Sequence, residues 1–186
     1  MKLSEQRFIE RIGRRAFSYD KYSGCSQSVL LSLQEGFKIG NEESFKAATV
    51  LSGGIARRGE TCGAIIGALM ALGLVMGRDK MEETDQYVRA VGVAFEVCEK
   101  FKTALKVEFS FDKELKSTLC KEIQEKIYGR SFDLNNEEER NAFLKAGGHS
   151  NSGCPKVCAV AAKVAAKEIL DRKQASNKPY PALKRA

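Results

Sequence analysis

Six cysteines, Cys25, Cys62, Cys98, Cys120, Cys154 and Cys158, carry most of the reactive chemistry in this 186-residue chain, with one histidine, His149. The N-terminal stretch MKLSEQRFIERIGRR is charged and amphipathic, with no apolar core of an export signal. A cytoplasmic location is therefore expected. In a reducing compartment structural disulfides are disfavoured, so this many cysteines point to metal binding or redox work.

Their neighbours say how they are placed. Cys25 follows Ser23-Gly24 and Cys62 follows Gly59-Glu60-Thr61, each where a helix is predicted to begin. Cys154 precedes Pro155 at a third start, and Cys120 lies in the first turns of a fourth helix. Free N–H groups and positive potential at such starts favour thiolate over thiol. Arg57, Arg58, Lys121 and Lys156 would add to this if they pointed inward. Cys154 and Cys158 are one helical turn apart, which can put both sulfurs on one face, although Cys158 also suits a core position among Val157, Ala161 and Ala162. Cys98, in VAFEVCEKF, reads as core.

The elements that must position these residues are helices. Phe8, Ile9, Ile12, Ala16 and Phe17 form one stripe over 4–18. A helix is predicted from Cys25 to Gln34 with Gly36 as its C-cap. A short one follows the N-cap candidate Asn41 and ends at Gly53-Gly54. In GETCGAIIGALMALGLVMGR, Gly63, Gly67 and Ala71 recur every four residues, a face that lets a neighbouring helix approach closely. A long amphipathic helix is predicted from Asp79 to about Lys106, turning Tyr87, Val91, Ala94, Phe95 and Cys98 inward. Leu119, Cys120, Ile123 and Ile127 mark another, stopping at Gly129. NNEEERNAFLKAGG gives a short acidic-headed helix, and CPKVCAVAAKVAAKEILDRK an Ala/Val-rich core helix. The expected fold is all-α, a single-domain multi-helix bundle over 1–175, with a loose C-terminal tail over 176–186.

Several functions are disfavoured. The uncharged run 61–77 is shorter than the roughly 20 residues a bilayer span needs, and it holds several glycines. The net charge is +7, concentrated from Lys163 onward. That end lacks interleaved aromatics or a nucleic-acid motif and reads as a solvated helix end, so no nucleic-acid partner is expected. SGGIARRG lacks the G-x4-G-K-[ST] phosphate-loop pattern and follows no strand. One histidine among several equivalent cysteines makes a weak case for a cysteine hydrolase. His149, in the Gly-rich AGGHSNSGC, can reach a metal or a thiol, but a lone loop histidine is more often solvent-exposed, and that is the preferred reading.

Four thiols at four helix starts suit an iron–sulfur cluster, a zinc ion, or redox dithiols led by Cys62 and Cys25. In addition, GCSQSVL, GGIARRGETCGAIIGALMALGL, LCKEIQEKIYGRSFDL and CPKVCAVAA resemble the redox-active family named for its C-GCAxxG-C-C pattern. The resemblance runs from about Cys25 to Ala166. It implies that Cys25, Cys62, Cys120 and Cys154 are the site cysteines, with Cys158 extra. The family is similar to the non-haem part of split-Soret cytochromes, which implies an iron–sulfur cluster. There is no C-x-x-C-H, so a c-type haem is not expected. The leading expectation is an electron-transfer protein with a redox protein partner, a homodimer being left open. The alternative is a non-catalytic helical module with a structural or sensory Zn-thiolate site.

Overall fold

A computed structural model of the protein describes residues 2–175, and the predicted tail over 176–186 lies outside them. Eight α-helices make up the described chain: α1 (Leu3–Tyr19), α2 (Cys25–Phe37), α3 (Glu42–Ala47), α4 (Gly63–Met76), α5 (Thr84–Phe109), α6 (Cys120–Tyr128), α7 (Glu137–Lys145) and α8 (Cys154–Ala175). The all-α expectation holds. No helix among the described residues is long and apolar enough to cross a membrane.

Helix α8 is the axis of the bundle, packing against α1, α2, α4 and α5. Its Val157, Cys158, Ala161, Ala162, Ala165, Ala166 and Ile169 are buried, as an Ala/Val-rich helix with little polar face requires. α4 is buried on most of its circumference too, and α2 lies close against it. A Cβ at Gly67 would overlap the Ser26 carbonyl, so the small-residue face read from the sequence is the α2–α4 contact. The end of α6 and α7 meet in a smaller apolar cluster, in which Phe132, Leu134 and Phe143 pack with Tyr128 and Cys154, while Cys120 and Ile123 of α6 join the main core.

Three local readings are corrected. Gly36 does not cap α2: it lies inside the helix, where a Cβ would meet Ile12, and the left-handed cap is Lys38. Asn41 does cap α3, accepting a hydrogen bond from the Ser44 N–H, but α3 ends at Ala47 rather than at the glycine pair.

The third concerns α5, which starts at Thr84 because the preceding turn is held by its own bonds, Arg78 to the Met81 carbonyl and the Asp79 N–H to Glu83. Its inward residues are Val93, Val97, Phe101 and Leu105. Tyr87, Val91 and Phe95 face solvent, while Ala94 and Cys98 sit at the edge of the core. Both stripes are apolar, and the choice follows the polar flank. Lys100 reaches Glu168 on α8 at 2.6 Å, and Arg172 grips the same carboxylate at 2.8 Å.

Candidate functional site

The starts of α2, α4, α6 and α8 open onto one cavity of about 740 Å³. Cys25, Cys62, Cys120, Cys154 and Cys158 all line it, and Cys98 does not. Cys25 and Cys154 are half-buried; Cys62, Cys120 and Cys158 are buried. All six are free thiols.

Two of these cysteines are set by a small backbone clamp. Thr61 and Leu119 form an isolated antiparallel bridge. Around it the Cys62 N–H donates to the Thr118 carbonyl (2.8 Å) and the Cys120 N–H to the Glu60 carbonyl (2.7 Å). Helices α4 and α6 thus begin side by side, each with its cysteine at the join. Cys25 is seated by glycine: a Cβ at Gly63 would stand 2.5 Å from its Sγ and 2.9 Å from the Leu51 carbonyl oxygen. The glycine after Cys62 is therefore the surface on which the Cys25 thiol rests. Gly67, one helical turn on, lets the α2 backbone come close enough for this contact.

The loop between Leu51 and Cys62 winds left-handed. Gly53, Gly54, Ile55, Ala56 and Arg57 have φ of 67, 73, 56, 51 and 62° in succession. Three of these are not glycine, so the turn costs on the order of 3–6 kcal/mol at 1–2 per residue. Backbone bonds compensate, among them Ala56 N–H to the Val50 carbonyl (2.8 Å) and Glu60 N–H to the Gly54 carbonyl (3.0 Å). The Asn135 side chain also donates to the carbonyls of Ala56 and Arg57. At Gly54 a Cβ would lie 2.7 Å from the Cβ of Cys120, so the turn wraps the base of that cysteine. The expected tight turn is there, with a handedness that only its two glycines announce.

Cys154 is held from the other side. Its N–H donates to the Gly148 carbonyl (2.8 Å), and its Sγ lies 3.9 Å from the Tyr128 hydroxyl. The Phe143 ring fills the place a Cβ on Gly148 would need, packing the loop before α8 against the aromatic cluster. Cys158, a turn further on, directs its S–H toward the Cys25 carbonyl at 3.9 Å. It is both a core residue and a wall of the cavity.

His149 is not a free loop residue. Its Nδ1 lies 2.9 Å from Oδ2 of Asp20, whose residue is fully buried, and its Nε2 lies 3.5 Å from the Ser23 hydroxyl. Its ring packs edge-on to Phe143 and lines the cavity. The other Asp20 oxygen, Oδ1, is buried and has no hydrogen-bond partner. Neither Asp20 nor Tyr128 was singled out by the sequence. Asp20 precedes Ser23-Gly24-Cys25 in an ordinary charged stretch, and only the fold carries it beneath the thiols.

With no metal bound, every cavity thiol is pushed above the ordinary thiol range. Burial pushes Cys25 from 9.0 up to about 11, with the Asp20 charge adding to it, against hydrogen bonds from Gly53, Ser26 and Ser52. Burial and the negative potential of Cys25 push Cys120 up to about 12. Cys62, Cys154 and Cys158 are also raised well above the usual thiol range by burial, then by neighbouring cysteines or Asp20. The helix-start effect is present, since the N–H groups of Ala64 and Ile65 lower Cys62, but it loses to desolvation. The expectation of ready thiolates is corrected accordingly. Arg57 lines the cavity from an exposed position, and Arg58 is exposed outside it.

Among the described residues no three His, Cys, Asp or Glu side chains stand together in an arrangement for a single metal ion. The donor set itself is of the right chemistry: five soft sulfurs around one chamber, with no competing carboxylate on its walls.

No curated protein and no solved structure matches this chain. A family model does, over residues 23–168, and its description is "Putative redox-active protein (C_GCAxxG_C_C)". That span takes in all five cavity cysteines together with Gly63 and Gly67, and the chain belongs to this family.

Proposed function

We propose that the protein is a cytoplasmic electron-transfer protein in which Cys25, Cys62, Cys120 and Cys154 hold an iron–sulfur cluster, with Cys158 and His149 alongside. One observation carries this reading: five of the six cysteines, drawn from four helix starts, line a single cavity while the sixth lies elsewhere. Each thiolate formed there raises the cost of others, as Cys25 does for Cys120 and both do for Cys62. A multiply charged cationic centre reverses that sign and makes the same crowding favourable.

Among the described residues no three ligating side chains stand together for a single ion, which favours a polynuclear centre over a lone zinc ion. Zinc needs all its sulfurs about 2.3 Å from one point, whereas the irons of a cluster each take their own thiolate. A bound cluster would supply one-electron transfer, at a potential set by the N–H groups and burial around its sulfurs. The chain's own part is to orient the thiols through the Thr61–Leu119 clamp and Gly63, and to exclude water with the apolar walls. Exchange between free dithiols fits less well, because the attacking species is the thiolate and burial suppresses it. The thiol content also supports a reducing compartment.

Anaerobic purification followed by iron, sulfide and zinc analysis and visible absorbance tests the reading. Iron and sulfide in stoichiometric amounts are expected. Zinc without iron would replace the cluster with a structural or sensory zinc site. Neither metal, together with a reversible disulfide from Cys62 to a cavity neighbour, would establish the dithiol route instead.

A further inference from the structure

We propose that the mouth of the cysteine cavity binds a small organic anion with an apolar body. The cavity is larger than a metal centre needs. Even a cluster of a few irons and sulfides held by four thiolates fills only part of 740 Å³. The volume falls instead within the range of roughly 300–1,000 Å³ typical of sites for small organic molecules.

The character of the mouth gives the ligand its chemistry. Lys21, Arg57 and Arg140 line the cavity, and among the described residues no aspartate or glutamate does. The guanidinium groups of Arg57 and Arg140 have neither a hydrogen bond nor an ion pair among the described residues, in contrast to Arg130, which is paired with Glu139. The nearest buried carboxylate behind the wall, Asp20, is engaged by His149. Cations left unpaired over low-dielectric walls concentrate anions at the opening.

Apolar side chains frame the same opening. Tyr22, Val50 and Leu144 line the cavity yet are 88, 67 and 50 % exposed. Exposed apolar groups beside unpaired cations suit an amphipathic anion better than inorganic phosphate. Arg57 is also held in place at some expense, at the end of the left-handed turn and with its carbonyl bound by Asn135. Its side chain lies across Gly53, whose absent Cβ would stand 3.0 Å from the Arg57 Cγ. As the site of a redox substrate this assignment rests on the redox reading; as an anion site it stands without it.

Fluorescence titration with anilinonaphthalene sulfonate, on the full chain, tests the site, with N-phenylnaphthylamine as the uncharged comparator. The Arg57→Gln and Arg140→Gln variants are each expected to weaken sulfonate binding about fivefold to tenfold. Neither should alter binding of the uncharged probe, and Arg7→Gln on α1 should alter neither. Added salt should weaken only the sulfonate. Unchanged melting temperatures for these surface variants exclude misfolding as the cause. Equal binding of both probes, or sulfonate binding indifferent to Arg57 and Arg140, overturns the proposal. Cys62→Ser separates it from the redox reading. That variant should lose metal and keep the anion site. Iron-free wild-type protein that still binds sulfonate through Arg57 would sink the cluster alone.

Discussion

The glycine that follows Cys62 gives the sharpest test of how the site is built. In a helix, Gly→Ala normally stabilises by roughly 0.5–1 kcal/mol, because alanine has less backbone freedom to lose. Gly73, in α4, has nothing within 4 Å of the place a Cβ would take, so Gly73→Ala should show that ordinary gain. Gly63, at the start of the same helix, should do the reverse. Its Cβ would come within 2.5 Å of Cys25 Sγ and 2.9 Å of the Leu51 carbonyl oxygen. The thiol can swing, but the carbonyl ends a short 3-10 turn, Thr49–Leu51, and accepts the Ile55 N–H. Overpacking of this kind costs about 1–3 kcal/mol, so the propensity gain is cancelled and a net loss of up to about 2.5 kcal/mol remains. At about 2–4 °C per kcal/mol for a chain of this size, Gly63→Ala should lower the melting temperature, by up to about 10 °C. Gly73→Ala should raise it by about 1–4 °C on the same scale. Calorimetry on the reduced, metal-free protein measures both. Two variants that move together in the stabilising direction would refute the seating of Cys25 on Gly63.

Other expectations concern the thiols. Cys25 and Cys120 are raised from 9.0 to about 11 and about 12, so above pH 9 the unfolded chain binds fewer protons than the folded one. Stability of the metal-free protein should therefore be complete below pH 9 and fall between 9 and 11–12, with ultraviolet thiolate absorbance appearing late; full thiolate absorbance at pH 9 would contradict the burial. Asp20→Asn removes a negative charge that raises Cys25, Cys154 and Cys158, so thiolate should appear at lower pH in that variant, and an unshifted onset would show that Asp20 does not act on them. Cys98→Ala should cost no more than about 1–2 kcal/mol, as loss of a half-buried thiol, and leave metal content intact, while Cys62→Ser should abolish metal and keep the helical circular dichroism. The opposite pattern of metal loss would reverse the assignment.

The helices were legible because their signals are local: Asn41 before two glutamates, Gly129 after Ile127 and Tyr128, and small residues at 63, 67 and 71. Four helix starts with cysteines were legible for the same reason. The inward face of α5 was not, since Val93, Val97, Phe101 and Leu105 compete with an equally apolar stripe through Tyr87, Val91 and Phe95. What separates them is contact with α8 across the bundle, where Lys100 pairs with Glu168 and Glu96 with Arg172, and no local pattern reports it. The left-handed turn was hidden in another way. Ile55 is β-branched and locally opposes a φ of 56°, which is held by N–H groups of the turn bonding to the Val50–Gly54 carbonyls and by the distant Asn135 side chain. Asp20 and His149 are 129 residues apart, and no spacing rule connects them.

The position of a cysteine in the chain and the state of its thiol are separate questions, and this protein answers them in opposite senses. A helix start offers Cys62 the N–H groups of Ala64 and Ile65, which on the surface would draw out a thiolate. Gathering several such starts around one cavity removes the water that would share that charge, and it puts each sulfur in the field of the others. Convergence thus turns a set of individually favourable thiolate positions into a set whose thiols are all pushed up while no metal is bound. The N–H groups remain aimed at the sulfurs, ready to stabilise negative charge once a cation neutralises the sum. Arg57 and Arg140 cannot serve as that cation: they stand at the mouth, exposed or half-exposed, and leave the buried sulfurs raised. Their charge is available to something outside the thiol set, which is why the mouth and the floor of one cavity are best treated as two sites with different ligands.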